Sequence, residues 1–454
     1  MEKFFHLKEH GTTVKTEVIA GITTFLAMAY ILAVNPSMLG AAGMNTAGVF
    51  VATALSAAFA TLIMAFWANY PIALASGMGL NAYFAYTVCG SLSAQGIENP
   101  WRIALTAILV EGLIFIILSA FKFRETLVNS IPENLKYGIT AGIGLFISIV
   151  GMEGAGIVVA NESTIVGLGN VGDASVALAL IGIAIIGIML FYNVKGAILW
   201  GILITWVLGI FAQLTGWYTG ASVLPDFTNN SFMAGFAGLG EIAFKFDFSY
   251  VAGNLVNFAV IVFAFLFVDL FDTVGTLIGV AAKGDMLDKD GKLPRVGRAL
   301  MSDAIGTVAG ACMGTSTVTS YVESSAGVAE GGRTGLTALT TAVLFILSIF
   351  LAPVFLAIPG FATAPALVIV GMLMMSSVSK VKFDGDMADV LGAFVAIIMM
   401  PFTYSIANGI MFGVLVWLVL KVFRGKAKDI HPIMWIVGAL FVLRIVTIVL
   451  GVSS

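Results

Sequence analysis

The chain has 454 residues, of which 59% are hydrophobic and only 10% charged, with a formal net charge of −3. A soluble protein carries roughly 25% charged residues, so this chain cannot cover a water-exposed surface with polar side chains. The small net charge offers nothing to nucleic acid, and lipid is the expected surrounding partner. From the start of the chain, the first ten residues are charged and predict no cleavable signal peptide. Apolar runs then predict membrane helices at 17–34, 47–69, 79–90, 101–121, 137–152, 174–193 and 196–214. A polar stretch at 215–250 is expected as an extracellular connector. Further runs follow at 251–282, 296–312, 324–332, 335–358, 363–379, 385–400 and 402–423, and a last one at 432–450. The runs lack the two-residue alternation of a membrane barrel, so helices are the only plausible spans.

Lysine and arginine set the orientation. With the N-terminus inside, the cytoplasmic ends collect Lys8, Lys15, Lys122, Arg124, Lys136, Lys195, Lys283, Lys289, Lys292, Arg298, Lys380, Lys421 and Arg424, whereas Arg102 and Lys245 fall outside. Residues 424–454 read as a cytoplasmic basic segment followed by a final hydrophobic helix. That helix carries Arg444 in its middle, so both an interfacial and a crossing placement stay open.

The two halves, 16–214 and 251–423, echo each other at an offset of 246 residues: Ser56-Ala-Ala-Phe-Ala-Thr61 falls on Ser302-Asp-Ala-Ile-Gly-Thr307, and Phe25 on Phe271. Seven spans per half place equivalent helices in opposite orientations, so the predicted fold is an all-α polytopic membrane protein of about 14 spans, a seven-plus-seven inverted repeat. Two runs are too short to cross as helix. Pro71–Asn81 precedes one and Gly314–Ser325 the other, and the same offset superimposes these two stretches. Thr315, Thr317 and Thr319 alternate with Ser316, Val318 and Ser320, which predicts a short extended segment before each half-helix. Extended backbone at mid-membrane is tolerated only where it lines a cavity or is buried in protein. Paired breaks at matching positions therefore point to a binding site fed by two helix N-termini.

An ionisable side chain inside a span costs roughly 2.5–3.5 kcal/mol, so each one asks for a function. Five stand out, namely Glu111, Asp269, Asp272, Asp303 and Glu323, and Asp269 and Asp272 share one helix face. No lysine or arginine lies near them in sequence. Carboxyl groups buried without cations favour their protonated form, which suits proton coupling. No histidine competes for that role, because His6, His10 and His431 lie outside the apolar runs. Cys89 and Cys312 lie within them and form neither a disulfide framework nor a metal cluster, so no cofactor or metal is expected.

Phe267-Val-Asp-Leu-Phe-Asp-Thr-Val-Gly-Thr276, Gly314–Gly327 and Gly331-Gly-Arg-Thr-Gly-Leu-Thr-Ala338 resemble signatures of the AzgA-like branch of the nucleobase–cation symporters. So do Ala20-Gly-Ile-Thr-Thr-Phe-Leu-Ala-Met-Ala-Tyr30 and Ala75-Ser-Gly-Met-Gly-Leu-Asn-Ala82. The resemblance implies a core (16–122 plus 251–358) that moves against a gate (131–214 plus 363–423). It implies a guanine/hypoxanthine permease and a possible homodimer. Carried over residue by residue, it implies that Asp272 contacts the base and that Glu323 reads its edge. Asp303 then serves proton coupling, and the Asp269/Asp272 pair is the other expected proton carrier. Guanine and hypoxanthine present an N1–H donor beside the O6 acceptor. A carboxylate at Glu323 can accept N1–H and the C2 amino hydrogens, while backbone N–H groups around Gly79, Leu80 and Ser324 face O6. Asn81 and Thr315 complete the expected substrate contacts.

The alternatives are an anion carrier of the same fold and an adenine-selective permease. An anion carrier is disfavoured because Glu323 sits in the break. An enzyme is not expected, because Phe271-Asp272 and Ser302-Asp303 lack the sequence contexts of a membrane aspartyl protease. The mixed charges of 283–298 read as a solvated loop rather than a calcium site.

Overall fold

Helix starts follow from local chemistry. Thr13, Asn45, Thr334, Asp386 and Ser405 each precede an apolar run, and each side chain accepts a hydrogen bond from a backbone N–H of the first turn. Such caps satisfy donors that lipid cannot. The computed structural model describes residues 2–120, 131–227, 232–288 and 293–449. Lys122, Arg124, Lys289 and Lys292 of the expected basic ends, and residues 450–454, lie outside them.

The first half runs α1 (Val14–Met28) continued by α2 (Ile31–Ala41), α3 (Thr46–Ile63), and β1 (Leu74–Ser76) feeding α4 (Met78–Ala82), whose helical path continues to Ala94. It continues with α5 (Trp101–Ala120), α6 (Glu133–Gly154), the strands β2 (Val158–Asn161) and β3 (Ile165–Leu168), α7 (Ala174–Phe191) and α8 (Ala197–Leu214). After α9 (Phe232–Ile242), the second half repeats the order. It comprises α10 (Leu255–Lys283), α11 (Val296–Met313), β4 (Val318–Ser320) feeding α12 (Ser324–Ala329), α13 (Gly335–Ser348), α14 (Gly360–Met375), α15 (Met387–Phe402) and α16 (Ile406–Phe423). A final helix, α17, covers Pro432–Val449.

Among the described residues, ten helical stretches are long and apolar enough to cross a membrane. The other four segments of the repeat are the two broken ones, the shorter α15, and α11, which carries Arg298 and Asp303. An odd number of crossings per half turns the second half over, and β1 accordingly pairs antiparallel with β4.

The helices sort by packing. α1, α3, α5, α10, α11, α12 and α13 pack on one another, and α6, α7, α8, α14, α15 and α16 form a second set. Small residues set the closest approaches, as membrane interiors favour. A Cβ at Gly144 would lie 2.4 Å from the carbonyl oxygen of Gly371, and one at Gly371 equally close to that of Gly144, so α6 and α14 cross backbone to backbone. At the Lys/Arg-rich end, Asp386 caps α15 and accepts from Lys421 at 2.8 Å, with Arg424 beside it. The Lys421 hydrogen bond holds the Asp386 carboxyl well below the usual carboxylate range.

Three features go beyond the sequence expectation. The 158–168 segment forms a hairpin whose turn is fixed by Asn161, its Oδ1 accepting from Ser163 N and Thr164 N at 2.9 and 3.1 Å. The 215–250 connector contains α9, which packs on α3 so closely that a Cβ at Gly48 would lie 2.4 Å from the backbone of Gly238. Helix α17 stands against the bundle, with Phe441 edge-on to Phe263 of α10 at 5.5 Å between ring centroids and Arg444 donating to Asn257.

Candidate functional site

The two breaks meet at the centre of the molecule. Leu74, Ala75 and Ser76 face Ser320, Thr319 and Val318, and the pairing extends through Gly77 N to Thr317 O and Tyr321 N to Ala73 O, each at 3.0 Å. A two-stranded ribbon leaves one edge of each strand without a ladder, and hydroxyl groups fill that need. Thr61 Oγ1 accepts from Leu74 N at 2.9 Å and Thr307 Oγ1 donates to Val318 O at 3.0 Å. These threonines are the pair related by the 246-residue offset, so the repeat is visible in the job each performs. Gly314, at φ +89, allows the sharp turn out of α11 into the extended run.

A small cavity of about 50 Å³ opens beside the ribbon. Tyr30, Gly77, Met78, Gly79, Asp272, Thr276, Ser320, Tyr321, Val322 and Glu323 line it, with Val370 and Met374 of α14 opposite. The first i→i−4 bond of α4 is Asn81 N–H to Gly77 O, so the N–H groups of Met78, Gly79 and Leu80 belong to its open end. Tyr30 donates to Glu323 Oε1 at 2.7 Å and fixes one edge of that carboxylate. A Cβ at Gly77 would lie at an ordinary contact distance of 3.8 Å from Asp272 Oδ2 but only 2.7 Å from the Thr319 methyl carbon across the ribbon, so a side chain there would displace that threonine.

Of the residues singled out in sequence, the cavity brings together Asp272, Glu323 and Gly79. Leu80, Asn81, Thr315 and Ser324 are buried behind it. Asn81 Oδ1 accepts from Ser316, and Thr315 accepts from Asn35 Nδ2 at 2.9 Å and lies 2.7 Å from Ser76 Oγ. The Ser324 N–H donates to Tyr321 O at 3.1 Å and its hydroxyl accepts from Ala73 N at 3.0 Å. Both bonds tie the start of α12 to the ribbon, whose strand end needs partners for its backbone groups.

Asp269 and Asp303 sit one layer deeper, both fully buried. The Thr273 hydroxyl lies 3.1 Å from Asp269 Oδ1, 3.0 and 2.9 Å from the two oxygens of Asp303, and 2.7 Å from Thr319 Oγ1. Asp303 Oδ1 also accepts from Ser320 N at 3.0 Å, and Ser320 lines the cavity. Glu111 accepts from Thr317 at 2.9 Å. The sequence did not single out Tyr30, Thr273, Thr276 or Tyr321, although all four fall inside its quoted motifs. Val370 and Met374 give no signal in sequence beyond an apolar helix.

Residues 15–412 match the permease family (Xan_ur_permease). The chain is 44% identical to the guanine/hypoxanthine permease PbuO of Bacillus subtilis over 97% of this chain and 99% of that one. It is 43% identical to the adenine permease AdeP of Escherichia coli, over 99% and 96% of the two chains. Among solved structures, the transmembrane domain of the cyanobacterial bicarbonate transporter BicA shares the fold with a TM-score of 0.63 at 15% identity, covering 87% of this chain and 97% of that chain. Matches spanning both halves of the repeat, to relatives that are permeases and not enzymes, show that the chain belongs to the permease family and is a multi-pass membrane transporter.

Proposed function

We propose that the protein imports 6-oxopurines, guanine and hypoxanthine, across the cytoplasmic membrane together with protons, its N-terminus lying in the cytoplasm. The observation that carries the substrate reading is the Glu323 carboxylate, held by Tyr30 at the cavity wall beside the open end of α4. A carboxylate oxygen has two lone pairs, so Tyr30 leaves acceptor capacity on both oxygens for N1–H and the C2 amino group. The N–H groups of Met78 and Gly79 supply donors for O6, and Asp272 accepts an imidazole N–H from the other side. Adenine offers a lone pair at N1, which an ionised Glu323 repels. The relatives include both adenine and guanine/hypoxanthine permeases, so similarity alone does not select between them, and this chemistry favours the 6-oxopurines.

Proton coupling rests on the Thr273 hydroxyl. It carries one hydrogen, yet two carboxyl groups and a second hydroxyl converge on it. A proton on Asp303 or Asp269 supplies a donor for one of these contacts. Ser320, bonded to Asp303 and lining the cavity, links the proton to the base. The two packing sets of helices serve as a moving core and a gate, with the cavity at their boundary, lined by Glu323 at the start of α12 and by Val370 and Met374 of α14.

The test is uptake of labelled hypoxanthine by cells lacking their own purine carriers. Accumulation that an uncoupler abolishes and sodium removal leaves intact is expected. Uptake that survives the uncoupler and collapses without sodium overturns the proton reading.

A further inference from the structure

A second and larger cavity, about 330 Å³, lies toward the opposite end of the bundle from the Asp386–Lys421 cluster. That volume is within the roughly 300–1,000 Å³ of small-ligand pockets. It shares α4's helical path with the inner cavity, since Gly79 lines the inner one and Tyr83, about one turn further on, lines the outer. Three aromatic rings, Tyr83, Tyr86 and Tyr404, stand in its wall with the amides of Asn257 and Asn408 and the guanidinium of Arg444. Tyr83 is packed edge-on against Phe265 at 4.7 Å between centroids, and Tyr404 against Phe146 at 5.5 Å, so these two rings are held in place. Among the described residues no carboxylate lines this cavity. The family match ends at residue 412, and Arg444 reaches in from α17 beyond it, positioned by its bond to Asn257.

We propose that this cavity is a second base-binding subsite, in which Arg444 reads the O6/N7 edge of a 6-oxopurine held against the tyrosine rings. The inference rests on the purine reading of the inner site and extends it. A guanidinium offers a planar fork of donors, matching adjacent O6 and N7 acceptors, and aromatic faces accept any base by stacking. The two cavities then read different edges of one molecule, carboxylates taking the N1–H side within and the guanidinium the acceptor side without. Adenine presents an amino donor at position 6, facing the donors of Arg444, so the subsite favours oxopurines before the base reaches Glu323.

The experiment measures initial uptake rates of labelled hypoxanthine against concentration, with adenine as competitor, in cells carrying wild type, Arg444→Gln, Arg444→Lys, Tyr86→Leu or Tyr86→Phe. Arg444→Gln is expected to raise the KM for hypoxanthine roughly tenfold, with the maximal rate per protein in the membrane kept and adenine competing better than against wild type, since a glutamine amide pairs with adenine N6 and N7. Lysine, a point charge without the fork, does not restore it. Tyr86→Leu raises KM about fivefold and Tyr86→Phe recovers it. An Arg444 that only braces α17 would lower the amount of protein or the maximal rate and leave the hypoxanthine-to-adenine preference alone. A KM within about twofold of wild type in both Arg444→Gln and Tyr86→Leu overturns the subsite while the transport reading stands. No purine uptake by the wild type removes both.

Discussion

Glu323→Gln is expected to cut hypoxanthine uptake about a hundredfold while the protein still reaches the membrane. The amide keeps the oxygen that accepts from Tyr30, so the local structure holds. It replaces the second acceptor with a donor pair, which then faces a donor on the base. A charge-assisted hydrogen bond is lost and a buried donor is left facing another, together about 2–4 kcal/mol. The same change turns the site toward adenine, whose N1 acceptor and N6 amino group complement a glutamine amide. Adenine should therefore compete better against the variant than against wild type. Rates of hypoxanthine uptake and adenine inhibition, normalised to protein in the membrane, check both halves. Uptake within a few-fold of wild type would remove Glu323 from the substrate.

Asp303→Asn should separate exchange from accumulation. One co-transported charge is worth about 2.3 kcal/mol per 100 mV, which supports a gradient of about fiftyfold. Asparagine keeps an acceptor for Ser320 N–H and for Thr273, so the ribbon stays in place. It cannot release a proton. Preloaded cells should still exchange labelled for unlabelled hypoxanthine, while net accumulation falls to about equal concentrations on the two sides. An Asp303→Asn protein that still accumulates hypoxanthine to wild-type levels would move the proton elsewhere in the cluster, to Asp269 first.

The helices were legible in composition and hydropathy because lipid permits little else, and the broken pair was legible because both runs were too short to cross. The 246-residue offset went further: it matched Thr61 with Thr307, and the structure gives each the same task at its own strand. Of the site, the carboxylates Asp272, Glu323 and Asp303 were visible because charge inside a membrane is costly. Tyr30 was not, because its partner lies 293 residues away and a tyrosine in an apolar helix is unremarkable. The bonds of Ser324 and Thr315 to the ribbon were not legible either: hydroxyl-rich extended chain also serves its own backbone, and sequence does not say which hydroxyls are used that way. The hairpin at 158–168, the helix α9 and the placement of α17 all depend on packing partners far away in the chain. Arg444 left the placement of the last helix open in sequence, and in the structure it bonds Asn257 of α10.

The most direct test of the central claim is competition for labelled hypoxanthine uptake by a panel of unlabelled bases in cells without other purine carriers. Guanine and hypoxanthine displacing the label with adenine weaker by at least about tenfold is the predicted result. Adenine competing as well as guanine would contradict the reading of Glu323 as an ionised acceptor for N1–H, and with it the assignment of 6-oxopurines as the cargo.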